Sequence, residues 1–259
     1  MSSDTMPPAP KTALVTGAAR RLGRAIAMTL AEDGWSLAIH HNHSQAEAEE
    51  VAAFVREAGG RAVTLQADLS DIAEAEALFA GAAQALGPLT LLVNNASIFQ
   101  QDDADNMTSK GWDAHMDINL KTPAFLAQAF ARALPEGVEG NIINMIDQRV
   151  WRLTPKFLSY TISKSALWTL TQVLAQSLAP HIRVNGIGPG PAMINERQSV
   201  ADFDRQCDAT ILRRGTSPQE ICEAVRFILK ATSMTGQMIA LDGGQHLAWE
   251  TPDVAGIPE

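Results

Sequence analysis

Seven short apolar runs alternate with stretches of helical periodicity between Thr12 and Leu241, and this alternation constrains the fold more than any other feature. The runs fall at 12–15, 35–40, 62–66, 89–93, 141–146, 182–187 and 237–241. The first, Thr12-Ala13-Leu14-Val15, has the look of a buried strand and ends at Thr16-Gly17. Between the runs, apolar residues recur at helical spacing over 22–30, 46–58, 72–86 and 156–178. Gly34, Gly59-Gly60 and Gly87-Pro88 punctuate the ends of the first three. Residues 108–134 read as a helix with an interruption, since Pro123 lacks a backbone donor and must begin or kink a segment. Ser217-Pro218-Gln219-Glu220 has the form of a capping box that opens a further helix. Strands separated by helices imply a parallel sheet covered on both faces, a doubly wound α/β domain.

Bulk properties fit one such domain. The chain has 259 residues, 46% apolar and 19% charged, enough to bury a sizeable core. No linker or repeat divides it. A domain over 11–249 is expected, with tails at 1–10 and 250–259. The net charge of −9 argues against nucleic acid and against an anionic membrane surface. It leaves room for a polyanionic cofactor in a local basic pocket. Cys207 and Cys222 have no metal-type or redox-type spacing, so free thiols are expected. Residues 1–10 are polar and proline-rich, unlike a signal peptide, and no run is long enough to span a bilayer. A cytoplasmic location is the expectation.

The first strand runs into Thr16-Gly17-Ala18-Ala19-Arg20-Arg21-Leu22-Gly23. Gly17 permits a tight turn, and Gly23 permits close packing of the next helix and close approach of a phosphate. The helix start then offers free N–H groups to a pyrophosphate. Two glycines alone are a weak signal. Strand before and helix after make it a dinucleotide loop of Rossmann type, with Gly17, Arg20, Arg21, Leu22 and Gly23 as contacts. An NAD-preferring fold places a carboxylate after the second strand to hold the ribose. Here the chain reads His40-His41-Asn42-His43-Ser44. The missing acid, with Arg20 and Arg21 nearby, points to NADP(H), and His41, His43 and Ser44 are candidate phosphate contacts. A zinc site in the histidines lacks a carboxylate or thiol to finish its shell, so no metal is expected. Asp68 and Leu69 follow the third strand and could hold the adenine amino group, or Asp68 could cap the next helix. Asn94-Asn95-Ala96-Ser97 follows the fourth strand on the cofactor side, with Asn94 open to a purely structural role.

Tyr160 and Lys164 stand at i and i+4, which places them on one helical face. Tyr160 is the only tyrosine. A phenol titrates near ~10, and an adjacent ammonium lowers that value toward useful acidity. The pair suits proton donation during hydride transfer.

These pieces together resemble the short-chain dehydrogenase/reductase family. The matching residues are Gly17 and Gly23, Asn94-Asn95-Ala96, Asn119, Tyr160 with Lys164, Pro189-Gly190 and Asp242-Gly243-Gly244. The resemblance covers about 11–247 and implies a single-domain Rossmann fold with a seven-stranded sheet and a nicotinamide cofactor. It implies Tyr160 as the acid, Lys164 holding the nicotinamide ribose and acidifying the phenol, and Asn119 anchoring a water. Pro189 and Gly190 would border the cofactor. The family's usual serine, about a dozen residues before the tyrosine, is missing: Ile142-Ile143-Asn144-Met145-Ile146 leads into Asp147. Arg21 also stands where a central glycine is usual. Both departures resemble the pteridine reductase and dihydromonapterin reductase branch, as does Asn95-Ala96-Ser97-Ile98-Phe99. In that branch the aromatic side chain at the Phe99 position stacks a pterin on the nicotinamide. Arg21, Ser97, Asp147 and Tyr160 would complete a substrate site. Where that branch usually has an arginine in the histidine-rich segment, this chain has His43.

A carboxylate suits a pterin, which presents an amidine-like N–H edge. The expected activity is therefore an NADPH-dependent pterin reductase, acting on dihydromonapterin, dihydrobiopterin or dihydrofolate. The alternatives are a reductase or dehydrogenase for another carbonyl or alcohol, and a non-catalytic dinucleotide sensor. The family commonly forms homotetramers. The face Ala166, Leu167, Leu170 and Leu174 could serve assembly or cover the sheet. The irregular segment 190–215 is the expected substrate lid.

Overall fold

A computed structural model describes residues 10–194, 197–251 and 253–256. Residues 1–9, 252 and 257–259 of the expected tails lie outside the described residues, as do Asn195 and Glu196 of the expected lid. The strands are β1 (Thr12–Val15), β2 (Ser36–His41), β3 (Ala62–Gln66), β4 (Leu91–Asn94), β5 (Gly140–Met145), β6 (Ile182–Pro189) and β7 (Met238–Leu241). They form one parallel sheet in the order β3-β2-β1-β4-β5-β6-β7. The order reverses between β1 and β4, the switch point at which such sheets open a crevice beyond their carboxyl ends. The fold is the Rossmann type expected from the alternation.

The helices are α1 (Arg21–Glu32), α2 (Gln45–Glu57), α3 (Ile72–Leu86), α4 (Ser109–Met116), α5 (Thr122–Ala133), α6 (Leu158–Ser177), α7 (Val200–Asp208) and α8 (Pro218–Lys230). They cover both faces of the sheet, which is why β1 and β4 are buried throughout. Successive strand side chains point to opposite faces. Ala13 and Val15 join Ile26, Leu30, Val51, Val225 and Ile228 in one core layer. Leu14 joins Leu78, Phe79, Leu126 and Phe130 in the other.

Element ends depart from the expectations by at most two residues, and one expected helix is divided. The helix over 108–134 is divided by a π-helical turn, Asp117–Lys121. Pro123 is the second residue of α5, directly after that turn, and has no N–H for the carbonyl four residues earlier. The long helix starts at Leu158 rather than Lys156, after Phe157 in a left-handed conformation at φ 59. The Ser217–Glu220 capping box is present on α8, and a second, Ser199–Asp202, opens α7 within the segment expected to be irregular. Of the α6 face Ala166, Leu167, Leu170 and Leu174, two residues pack toward the sheet. Leu167 is 1% exposed against Ile146 and Met238, and Leu174 packs on the α3–α5 layer. Among the described residues no helix is long and apolar enough to cross a membrane.

Candidate active site

A cleft of about 870 Å³ opens across the carboxyl ends of the strands, within the range of ligand sites, ~300–1,000 Å³. It runs from Asn42 and Asp68, beyond β2 and β3, to Asp147 and Gly190, beyond β5 and β6.

Its floor is the glycine loop. Gly17 has φ +63, in the left-handed region that favours glycine. A Cβ on Gly23 would lie 2.1 Å from the Gly17 carbonyl oxygen and 2.5 Å from Asn95 Nδ2, so no side chain fits. The N-terminus of α1 has no side-chain cap, leaving leading N–H groups for an anion. Asn95 ties the loop down by donating to the carbonyls of Thr16 and Gly17 at 2.9 and 3.2 Å. Thr16 Oγ1 accepts from the N–H groups of Asn95 and Ala96, both at 3.0 Å. This floor fits a pyrophosphate. Arg20, Arg21, Leu22, Asp68, Leu69, Ser97 and Gly190 also line the cleft. Arg21 has φ 52, a conformation costing a non-glycine residue roughly 1–2 kcal/mol. Its guanidinium crosses the cleft and donates to the carbonyls of Ile194 and Met193 at 2.9 and 3.4 Å.

The histidine-rich stretch divides differently from the expectation. His40 and Asn42 line the cleft, whereas His41, His43 and Ser44 do not. The cause is strand periodicity: β2 continues through His41, so its side chain turns away from that of His40. His40 Nδ1 accepts the Gly17 N–H at 2.9 Å, and Nε2 lies 3.1 Å from the Ala67 carbonyl. The first contact requires a lone pair on Nδ1, so the ring is neutral with its proton on Nε2. Burial, with His41 a lesser cause, holds the His40 pKa down at about 4. Sequence reading saw His40 only as part of a cluster. Asp68 is not the helix cap: Asp71 caps α3, while Asp68 accepts from Ser70, which lowers its pKa. Asn94 is structural, donating to Asn144, which donates to Thr171 of α6, both at 2.8 Å.

At the other end, Tyr160 donates its hydroxyl to Asp147 Oδ2 at 2.9 Å. Asp147 Oδ1 accepts the Arg149 N–H at 2.8 Å. Lys164 Nζ donates to the Met145 carbonyl at 2.8 Å and lies 5.9 Å from the Tyr160 ring centroid. The i, i+4 face is as expected, but its electrostatics are not. Burial, then the Asp147 carboxylate, push the Tyr160 pKa well above the ordinary phenol value. This runs against the expected acidification by Lys164, whose ammonium donates to a carbonyl while the carboxylate faces the phenol. Burial lowers Lys164 itself to about 8.

Asn119 lies in the π-helical turn, outside the cleft wall. Its Oδ1 accepts from Ser97 Oγ and Ile98 N, and its Nδ2 donates to Ile98 O and Ser163 Oγ, at 2.9–3.1 Å. Those four bonds engage the amide, so the side chain holds loops together. Phe99 lines the cleft, but Phe157 stacks on it at 4.2 Å, and the Tyr160 ring meets it edge-on at 4.6 Å. Phe157, which the sequence did not mark, thus packs on the ring expected to stack a pterin.

A buried chain behind these rings also escaped the sequence. The Gln100 N–H donates to His115 Nε2 at 3.1 Å, so the neutral ring carries its proton on Nδ1. Nδ1 is 2.7 Å from Ser159 Oγ, which in turn donates to the Asp102 carboxylate. Asp102 also accepts the backbone N–H groups of Phe157, Leu158 and Ser159. The loop carrying Phe99 is thereby fixed to the start of α6, one residue before Tyr160. These residues lie far apart in the chain, and no local spacing marks them.

Residues 17–246 match the family profile described as enoyl-(acyl carrier protein) reductase. The chain is 32% identical to pteridine reductase 1 of Leishmania tarentolae, over 94% of this chain and 98% of that protein. It is 36% identical to 2-dehydro-3-deoxy-D-gluconate 5-dehydrogenase of Dickeya dadantii, over 90% of this chain and 94% of that one. Its structure resembles that of FolM alternative dihydrofolate reductase 1 from Brucella canis, solved in complex with NADP. The TM-score is 0.92 at 50% identity, covering 95% of this chain and 98% of that one. The chain belongs to the short-chain dehydrogenase/reductase family and is an oxidoreductase.

Proposed function

We propose that this chain is an NADPH-dependent reductase of pterin-type substrates such as dihydromonapterin, dihydrobiopterin or dihydrofolate. The observation carrying this reading is the Tyr160–Asp147 hydrogen bond, a phenol paired with a carboxylate where the family has a hydroxyl. The similarity to a pteridine reductase and to an NADP-bound alternative dihydrofolate reductase supports it.

A bound nicotinamide supplies the hydride. Gly17, Gly23 and the first N–H groups of α1 hold its pyrophosphate, with Arg20 and Arg21 beside the 2′-phosphate. Asp68 and Leu69 border the adenine, and Asn95, Ala96, Ser97, Pro189 and Gly190 the central wall. The Asp147 carboxylate has acceptor capacity beyond its bonds to Tyr160 and Arg149, enough to take N–H groups from a pterin edge. The Tyr160 hydroxyl, its pKa raised, holds its proton and gives it to the ring nitrogen that becomes basic on reduction. Lys164, on the same helical face, stabilises the phenolate left behind.

NADPH oxidation in the presence of the three dihydropterins tests this. Turnover of at least one is expected, Tyr160→Phe lowers kcat by about 10²–10⁴-fold, and Asp147→Ser removes pterin turnover. No reaction with any pterin, or pterin turnover that survives Asp147→Ser, rejects the reading.

A further inference from the structure

The cleft is cationic on an acidic protein. Its wall carries Arg20, Arg21, Lys164, Arg149 and Arg197 against the carboxylates Asp68 and Asp147, although the chain's net charge is −9. Arg20 and Arg21 belong to the glycine loop, where a dinucleotide's phosphates sit. Arg149 does not. It follows β5, at the Tyr160 end of the cleft, in a short 3-10 turn over Gln148–Val150.

The guanidinium of Arg149 lies 5.6 Å from the Phe99 ring centroid and 5.2 Å from that of Phe157. One nitrogen donates to Thr154 Oγ1 at 3.1 Å, and Nε is buried without a hydrogen-bond partner among the described residues. Arg197 presents its guanidinium to the same two rings, at 5.0 and 5.9 Å. A guanidinium in a pocket wall beside a stacked pair of aromatic rings is placed to receive an anion attached to a flat apolar group. The nicotinamide half of the cofactor offers no such anion at this end.

We propose that Arg149, seated against Phe99 and Phe157, forms a subsite for an anionic tail of the substrate, a carboxylate or a phosphate. This rests on the pterin reading and sharpens it: pterins with charged tails are favoured over those with neutral polyol tails.

Rates with NADPH are compared for dihydrofolate, dihydroneopterin monophosphate and neutral dihydroneopterin, in the wild-type protein and in Arg149→Met. The readout is kcat/KM of each charged substrate divided by that of the neutral one. Any effect of the lost charge on Tyr160 is common to all three and cancels. The ratio for at least one anion is expected to fall about tenfold, the loss of one charge-assisted contact. Which ratio falls tells carboxylate from phosphate. Arg149→Lys, which keeps the charge, retains most of the preference. In the wild type the ratio also falls as salt rises. Ratios that ignore both the variant and the salt overturn the subsite. Should none of the three substrates react, the pterin reading is what fails. The subsite is then judged by the melting temperature of the NADPH-loaded protein with p-aminobenzoylglutamate and with phenyl phosphate. Stabilisation by either that Arg149→Met lacks sustains it, and equal or no stabilisation ends it.

Discussion

Lys164 shows what burial does to one charge. Its ammonium is 2% exposed and donates to the Met145 carbonyl. Desolvation penalises the charged form and brings its pKa down to about 8. The charge needed beside Tyr160 is therefore present below that pH and lost above it. For the free enzyme, kcat/KM for NADPH should fall as pH rises through about 8. A profile flat up to pH 10 contradicts the assignment. The i, i+4 pairing of Tyr160 with Lys164 was legible in the sequence, and so was the carboxylate at Asp147. The upward shift of Tyr160 was not. It depends on which neighbour the phenol faces, and Asp147 and Lys164 meet it from different elements.

At the scale of elements, the site stands where strand ends and helix starts are tied together by side chains. His40, at the end of β2, accepts from Gly17 of the loop between β1 and α1 and lies beside Ala67 after β3. Protonation puts a hydrogen on Nδ1 and breaks the first of these bonds. The folded protein keeps His40 neutral down to about pH 4, whereas the unfolded chain takes up that proton near 6.5. Between these values the unfolded state binds more protons, so stability falls as pH is lowered through that window. The loss is about 3 kcal/mol. Urea unfolding followed by tryptophan fluorescence at the two limits, compared with His40→Asn, measures it. An equal loss in the variant shows that other groups are responsible. The Asp102–His115–Ser159 chain plays the matching part at the start of α6. The repeat of strand and helix was legible because apolar periodicity is local. These ties were not, since each joins residues from separate elements.

For the whole molecule, the sheet order and the two core layers place every cleft residue at one edge, and the ligand's effect on stability should reflect that. NADPH binds only the folded cleft, so it raises Tm. At a concentration of 100 times Kd the gain is about 2.7 kcal/mol. NADH at the same concentration should give a smaller shift, because Arg20 and Arg21 then meet no 2′-phosphate. Equal shifts would remove the case for NADP preference, which rests on the missing acid after β2 and on these arginines. The sequence by itself determined the alternating architecture, the glycine loop and the Tyr160–Lys164 face, because each is written in spacings of a few residues that backbone geometry converts directly into position. The tertiary structure alone decided which histidine touches the loop, that Phe157 covers Phe99, that the Asn119 side chain holds loops together, and that Tyr160 faces a carboxylate. Those outcomes depend on through-space distances and on the removal of water, which arise only once the β1–β4 switch point and the helices above it have closed around the cleft.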